Sequence, residues 1–167
     1  GWMKLGMPAW SFLANRIDAR IAVSERARKS AARWLPGDYE IVPNGVLIPG
    51  GVTPGGREHT IVFAGRQEQR KGLHVLLRAW PEIRRRTGVR LQVCGADPLA
   101  VRLLLARLRI PDDGIDILGF LSQDDLTSLL SRTKALIAPS LGGESFGMVL
   151  TRAFACALPV VASDIPG

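Results

Sequence analysis

From Thr60 onward the chain alternates short apolar runs with amphipathic segments, and this alternation limits its possible folds more than any other feature. Thr60–Ala64, Arg90–Cys94, Ile115–Leu118, Ala135–Ala138 and Pro159–Ala162 read as strands. Between them, Leu73–Arg86, Pro98–Leu108, Gln123–Ser131 and Phe146–Ala157 carry apolar residues at helical spacing. Strands made of nearly continuous apolar runs are buried on both faces. Regular alternation with helices makes successive strands parallel. The expected class is α/β, a parallel sheet with helices on both faces. Ligands of such sheets lie beyond the carboxyl ends of the strands, so the segments that follow the strands carry the functional expectation.

After the first strand comes Gly65-Arg66-Gln67-Glu68-Gln69-Arg70-Lys71-Gly72, a turn leading into a helix. A guanidinium fork at Arg66 and an ammonium at Lys71 suit a diphosphate, although basic turns are also often just solvated. Arg70 is an extra cation and reads as a bystander. After the second strand, Gly95-Ala96-Asp97-Pro98 fits either close ligand approach or plain turn geometry. After the third comes Leu118-Gly119-Phe120-Leu121. After the fourth, Ser140-Leu141-Gly142-Gly143 leads to Glu144 and a helix expected from Phe146. Glycines let backbone approach a ligand, and the free amides of a helix start favour an anion. A phosphorylated ligand and an ordinary strand-to-helix turn both fit that loop.

At 167 residues the chain suits one domain, or one domain plus part of another. With 47% hydrophobic and 22% charged residues, its composition is that of a globular protein. Cys94 and Cys156 sit in apolar runs and read as reduced core residues of a cytoplasmic protein. With His74 they form no zinc-type spacing, so no metal is expected. No apolar run reaches about 18 residues, the length a membrane span needs. No secretory signal is evident, and the chain begins with Gly1 rather than Met. A formal charge of +7 leaves three readings: solvated helix faces, attraction to anionic membrane lipid, or nucleic acid. The last has no support from interleaved aromatic and basic residues, and nucleic acid is not an expected partner.

The first 35 residues differ in character. Trp2, Trp10, Phe12 and Leu13 crowd the start, and Ile21-Ala22-Val23 is a strand candidate. Ser24 is placed to cap a basic helix through Ala32 that carries Arg26, Arg28 and Lys29. That helix suits either exposed surface or a membrane interface. Pro49-Gly50-Gly51 and Pro54-Gly55-Gly56 read as a turn-rich linker.

Two of these elements resemble the signature of family 4 retaining glycosyltransferases, which have the two-domain GT-B fold. Pro139-Ser140, Glu144-Ser145-Phe146-Gly147 and Ala153 match one motif, whose second glutamate is replaced here by Arg152. Gly65, Arg66, Lys71 and Gly72 match a G-R-x-x-x-x-K-G element. The run Ser140 to Gly147 is most similar to the phosphatidylinositol mannosyltransferase type. The resemblance implies a Rossmann-like sheet forming the C-terminal half of a GT-B enzyme. Residues 1–35 would be a remnant of the acceptor domain, residues 36–58 the crossing segment and linker, and residues 59–167 a nucleotide-sugar domain truncated at its C-terminus. It also implies the roles of the site residues. Arg66 and Lys71 would hold the donor's pyrophosphate, and Glu144 would face the donor sugar. Gly65, Gly143, Ser145, Phe146, Gly147 and Met148 would line the substrate, with the backbone at Gly119 and Phe120 meeting the base.

Arg152 stands where the family has an acceptor for the ribose hydroxyls, and it can only donate. The implied reaction moves a sugar, with mannose the candidate, from a nucleoside-diphosphate donor to an acceptor hydroxyl. It needs neither metal nor cofactor. The expected partners are the donor, the missing acceptor domain and an anionic membrane surface, and the expected location is cytoplasmic or peripheral at the inner face of the membrane. The fragment alone is expected to bind donor without transfer. The alternatives are a non-catalytic nucleotide-sugar-binding module and a basic peripheral membrane-binding protein.

Overall fold

A computed structural model of the chain describes residues 16–50 and 56–165. Trp2, Trp10, Phe12, Leu13, most of the two-part Pro-Gly-Gly linker and the terminal Pro166-Gly167 lie outside the described residues. The chain divides into two compact units. The first holds the residues up to Gly45 together with Glu144–Phe146, and the second holds Val46–Gly143 and Gly147–Ile165.

In the first unit, β1 (Ile21–Ala22) pairs in parallel with β2 (Glu40–Ile41), and α1 (Glu25–Ala32) lies between them in sequence. Ser24 caps α1 as expected, its hydroxyl accepting the Ala27 amide at 3.1 Å. The same hydroxyl donates to the carbonyl of Ser145.

The second unit is a five-stranded parallel sheet. Its strands are β3 (Thr60–Ala64), β4 (Arg90–Cys94), β5 (Ile115–Gly119), β6 (Ala135–Ala138) and β7 (Val160–Ala162), in the order β5-β4-β3-β6-β7. The helices are α2 (Leu73–Thr87), α3 (Pro98–Leu108), α4 (Gln123–Arg132) and α5 (Met148–Ala155). Alternation along the strands divides the core into two layers. Ile61, Phe63, Leu91 and Val93 face one way and pack with Leu76, Leu77 and Trp80 of α2 and with Val101 and Leu105 of α3. Val62, Cys94 and Leu136 face the other way, onto Leu129 and Leu130 of α4 and Ala153 of α5. The expected α/β class with helices on both faces is therefore what the chain adopts.

Both cysteines are free and buried. Burial pushes the Cys94 thiol up to about 12, which leaves it without reactive thiolate at neutral pH.

The helix boundaries that depart most from the sequence expectation are those of α5. The helix predicted from Phe146 to Ala157 spans Met148–Ala155. Gly147, at φ 79°, has a left-handed backbone that stops the helix from extending back to Phe146. At the other end Ala157 is left-handed too, at φ 50°, and the Leu158 amide turns back to the Ala153 carbonyl.

Arg57, within the segment expected to be linker, fixes its end firmly to this unit. Its guanidinium donates to the carbonyls of Leu130, Ser131 and Thr133 at the C-terminal end of α4, and to those of Cys156 and Ala157 after α5. Unsatisfied carbonyls at helix ends favour such a cation.

Candidate functional site

The order of the sheet selects the site. The chain moves outward from β3 through β4 to β5, then returns to lay β6 on the other side of β3, with Ile61 opposite Ala135 and Val62 opposite Leu136. The strand order reverses between β3 and β6, and connections leaving two such strands diverge to opposite faces and open a crevice at their carboxyl ends. The segment leaving β3 is Gly65–Gly72, and the one leaving β6 is Pro139–Gly147. The two motif-bearing segments of the sequence are thus the two that flank this reversal.

These segments are fastened to each other. The Leu141 amide donates to the Arg70 carbonyl at 2.7 Å, and the Arg70 guanidinium donates to the Gly143 carbonyl at 3.0 Å. Gly72 sits at φ 72°, and a Cβ built there would overlap the Pro139 carbonyl oxygen and lie 2.8 Å from its carbonyl carbon. Only glycine admits both that backbone and that approach. Inside the first segment, Glu68 holds two arginines, with Arg66 at 2.9 Å and Arg70 at 2.6 Å. Arg66 is the more open of the two, its side chain 73% exposed against 35% for Arg70. Arg70, expected to be a bystander, is a structural tie between the loops.

Beside this crevice the sheet edge is bare backbone. The Gly65 amide bonds to the Cys94 carbonyl at 3.0 Å, and the Gly95 amide bonds to the Gly119 carbonyl at 2.7 Å. A Cβ on Gly95 would come within 3.1 Å of the Gly65 backbone. Three adjacent strands therefore have a glycine at or just past their ends, and Gly95, left open by the sequence, has a packing requirement. Phe120, immediately after Gly119, is 74% exposed. On the β6 side, Gly147 begins α5 and no side chain caps that helix start. The dipole and first-turn amides of α5 favour an anion there.

The second unit thus holds Gly65, Arg66, Lys71, Gly119, Phe120, Gly143, Gly147, Met148 and Arg152, whereas Glu144, Ser145 and Phe146 group with the first. Within the second unit, the Arg66 and Gly143 segments are joined through Glu68 and Arg70. Arg152, on α5, is half-buried and its side chain makes no ion pair or hydrogen bond among the described residues. Among the described residues, no cluster of three or more His, Cys, Asp or Glu is placed to hold a metal ion.

A parallel α/β unit whose reversal point carries a basic glycine turn and an uncapped glycine-rich helix start presents an anion-favouring crevice at the carboxyl ends of its strands. Residues 58–167 match the family described as "Glycosyl transferases group 1". The chain belongs to that family, the family 4 glycosyltransferases. It is 34% identical to the phosphatidyl-myo-inositol mannosyltransferase of Propionibacterium freudenreichii, over 92% of this chain and 40% of that protein. It is 37% identical to the protein of that name from Mycolicibacterium smegmatis, over 90% of this chain and 41% of the relative. The chain therefore spans about two fifths of the length of these curated relatives.

Among solved structures it is similar to a Staphylococcus aureus TarM variant in complex with Fondaparinux, alpha-GlcNAc-glycerol and UDP. The TM-score there is 0.75 at 18% identity, over 92% of this chain and 31% of that one. It is similar also to Anabaena HepE in complex with UDP and glucose, with a TM-score of 0.73 at 22% identity, over 98% of this chain and 49% of that one. These neighbours are GT-B glycosyltransferases, and the chain shares their fold.

Proposed function

We propose that the chain is the donor-binding part of a retaining glycosyltransferase, which transfers a sugar from a nucleoside diphosphate to an acceptor hydroxyl in the full-length protein. The observation that carries this reading is the meeting of Gly65–Gly72 and Pro139–Gly143 at the point where strand order reverses, held by Arg70 and by the close approach of Gly72 to Pro139. Arg66 and Lys71 are the cations for the leaving diphosphate, whose developing charge they offset. Glu144 meets the donor sugar, Ser145, Phe146, Gly147 and Met148 supply the glycine-loop contacts, and Gly119 and Phe120 border the base. No metal enters this scheme. The UDP held by solved neighbours supports a nucleotide donor, and the relatives' names support mannose as the sugar. Those names also specify a phosphatidyl-inositol acceptor, which supports work at the inner face of a membrane. Residues 59–167 are the donor domain in this scheme, and residues 1–58 are the end of the acceptor domain with its crossing segment. The unusual Arg152 favours one second reading, a nucleotide-sugar-binding module without catalysis.

Calorimetric titration with UDP, GDP and their sugars tests the proposal. The chain should bind at least one nucleoside diphosphate, and Arg66→Ala should weaken that binding by about ten- to a hundredfold, the loss of one charge-assisted contact of roughly 1.5 to 3 kcal/mol. Absence of binding to every nucleotide, or undiminished binding by Arg66→Ala, would overturn it.

A further inference from the structure

The positive charge of this chain is concentrated. Residues 73–110 hold eight arginines against two acids, Glu82 and Asp97, and so carry +6 of the formal +7. Ion pairing sorts those arginines into two groups. Arg84, Arg85 and Arg90 are held by Asp113, Glu82 and Asp116. Arg78, Arg86, Arg102, Arg107 and Arg109 have no acidic partner among the described residues. All five lie on α2, on α3 or just past its end.

The same face is apolar where apolarity is unexpected. Leu99 and Leu103, one turn apart on α3, are 64% and 62% exposed, and Arg102 and Arg107 lie on the same outward side. Between α2 and α3 runs a groove of about 470 Å³. Leu73, Leu104 and Leu108 give it apolar walls, His74, Arg78 and Arg107 bring cationic or polar heads, and the turn at Gln67–Gln69, with Glu68, closes one end. Unpaired guanidinium groups around protruding leucines complement a surface with anionic heads over hydrocarbon. Nucleic acid fits poorly, because base stacking uses exposed aromatic rings. The one aromatic of these two helices, Trp80, is 1% exposed and its indole N–H is taken by the Asp113 carbonyl.

We infer that the outer face of α2 and α3 docks on an anionic phospholipid bilayer. Arg78, Arg102 and Arg107 contact headgroup phosphates, Leu99 and Leu103 enter the interface, and the groove receives a headgroup. This rests on the membrane reading given above and assigns it to a surface of the donor domain. It does not depend on the transfer reaction.

Co-sedimentation of the full chain with vesicles tests it, using phosphatidylcholine alone and phosphatidylcholine with about a third phosphatidylglycerol, in about 0.1 M salt. The chain should bind the mixed vesicles and not the neutral ones. Reversing two face charges, in Arg102→Glu with Arg107→Glu, should weaken binding about tenfold or more. Leu99→Ser with Leu103→Ser should weaken it several-fold. Arg26→Glu with Arg33→Glu, on and beside α1, makes the same change in net charge and should stay within about twofold of the parent. No binding to the mixed vesicles, equal losses from the two charge-reversed proteins, or full binding by the leucine variant would each overturn the inference. Circular dichroism melting checks that each variant folds. Nucleoside-diphosphate titration of the same proteins separates the two proposals, because a rejected bilayer face leaves nucleotide binding intact.

Discussion

Gly72→Ala probes the site without changing a charge. Gly72 closes the turn after β3, begins α2 and lies against Pro139 of the β6 loop. Two costs add on substitution. An L-residue in the left-handed region at φ 72° costs roughly 1–2 kcal/mol. The new Cβ also overlaps the Pro139 carbonyl oxygen, and the nearest atoms are backbone and cannot swing aside as a side chain would. Relief requires the two loops to part. Parting lengthens the bond from the Leu141 amide to the Arg70 carbonyl and that from the Arg70 guanidinium to the Gly143 carbonyl. A neutral bond contributes about 1 kcal/mol and one to a charged group about 1.5–3. With both bonds lost the total is roughly 3.5–6 kcal/mol, and at about 2–4 °C per kcal/mol for a chain of this size the melting temperature should fall by about 7–24 °C.

Gly88→Ala is the matched control. Gly88 has φ 67°, and the nearest atom to its added Cβ is His59 Nε2 at 4.0 Å, so it carries the backbone cost without the overlap. Differential scanning calorimetry of the two variants isolates the loop contact by difference. Nucleoside-diphosphate titration then reads its effect on the site, where Gly72→Ala should bind at least about tenfold more weakly, the equivalent of roughly 1.4 kcal/mol. A melting temperature for Gly72→Ala no lower than that of Gly88→Ala, or nucleotide binding equal to the parent's, would refute the reasoning.

Two further predictions concern the side chains around that frame. Glu144→Gln should leave affinity for a free nucleoside diphosphate within about twofold and lower affinity for the matching nucleotide-sugar by about tenfold, as one charge-assisted contact warrants. Loss of nucleoside-diphosphate binding in a folded protein would assign Glu144 a structural role instead. Arg152→Glu should raise the preference for ribo- over 2′-deoxyribonucleoside diphosphates by about tenfold, because a carboxylate accepts each hydroxyl and a guanidinium cannot. An unchanged ratio in paired titrations would remove position 152 from the ribose contact.

The local parts of this fold are legible from residues 60–162 alone. Runs such as Arg90–Cys94 and Ala135–Ala138 appear as strands where the apolar pattern places them, because burial on both faces leaves few alternatives. The start of α5 is not legible in the same way. Phe146 is apolar and in helical phase, and only the left-handed backbone at Gly147 excludes it from the helix. The strand order is a property of tertiary packing, and no pattern within β6 says that it returns beside β3. Gly72 shows the same limit. As a motif letter it marks a resemblance, but its reason lies 67 residues away in the carbonyl of Pro139. Arg70 reads as one cation among three until the fold brings the Gly143 carbonyl within reach of its side chain.

The different fates of Arg66 and Arg70 follow from magnitudes. Both contact Glu68, so a diphosphate arriving at the crevice competes with that carboxylate for either guanidinium. The pair formed by Arg66 is mostly solvated, with the arginine 73% exposed, and a surface pair is worth about 0–1 kcal/mol. A charge-assisted bond to a phosphate oxygen is worth about 1.5–3 kcal/mol, so Arg66 gains by exchanging one anion for the other. Arg70 has more to lose. Its guanidinium holds both Glu68 and the Gly143 carbonyl, and its own carbonyl receives the Leu141 amide. Releasing it would separate the loops that form the crevice. In the proposed scheme the more exposed arginine is therefore the one free to follow the ligand, and the half-buried one keeps the frame while it does so. If so, Arg70→Ala should lower the melting temperature more than Arg66→Ala, and Arg66→Ala should cost nucleotide affinity with little loss of stability. Calorimetry on the two variants reads both quantities, and the opposite ranking in melting temperature would reverse these roles.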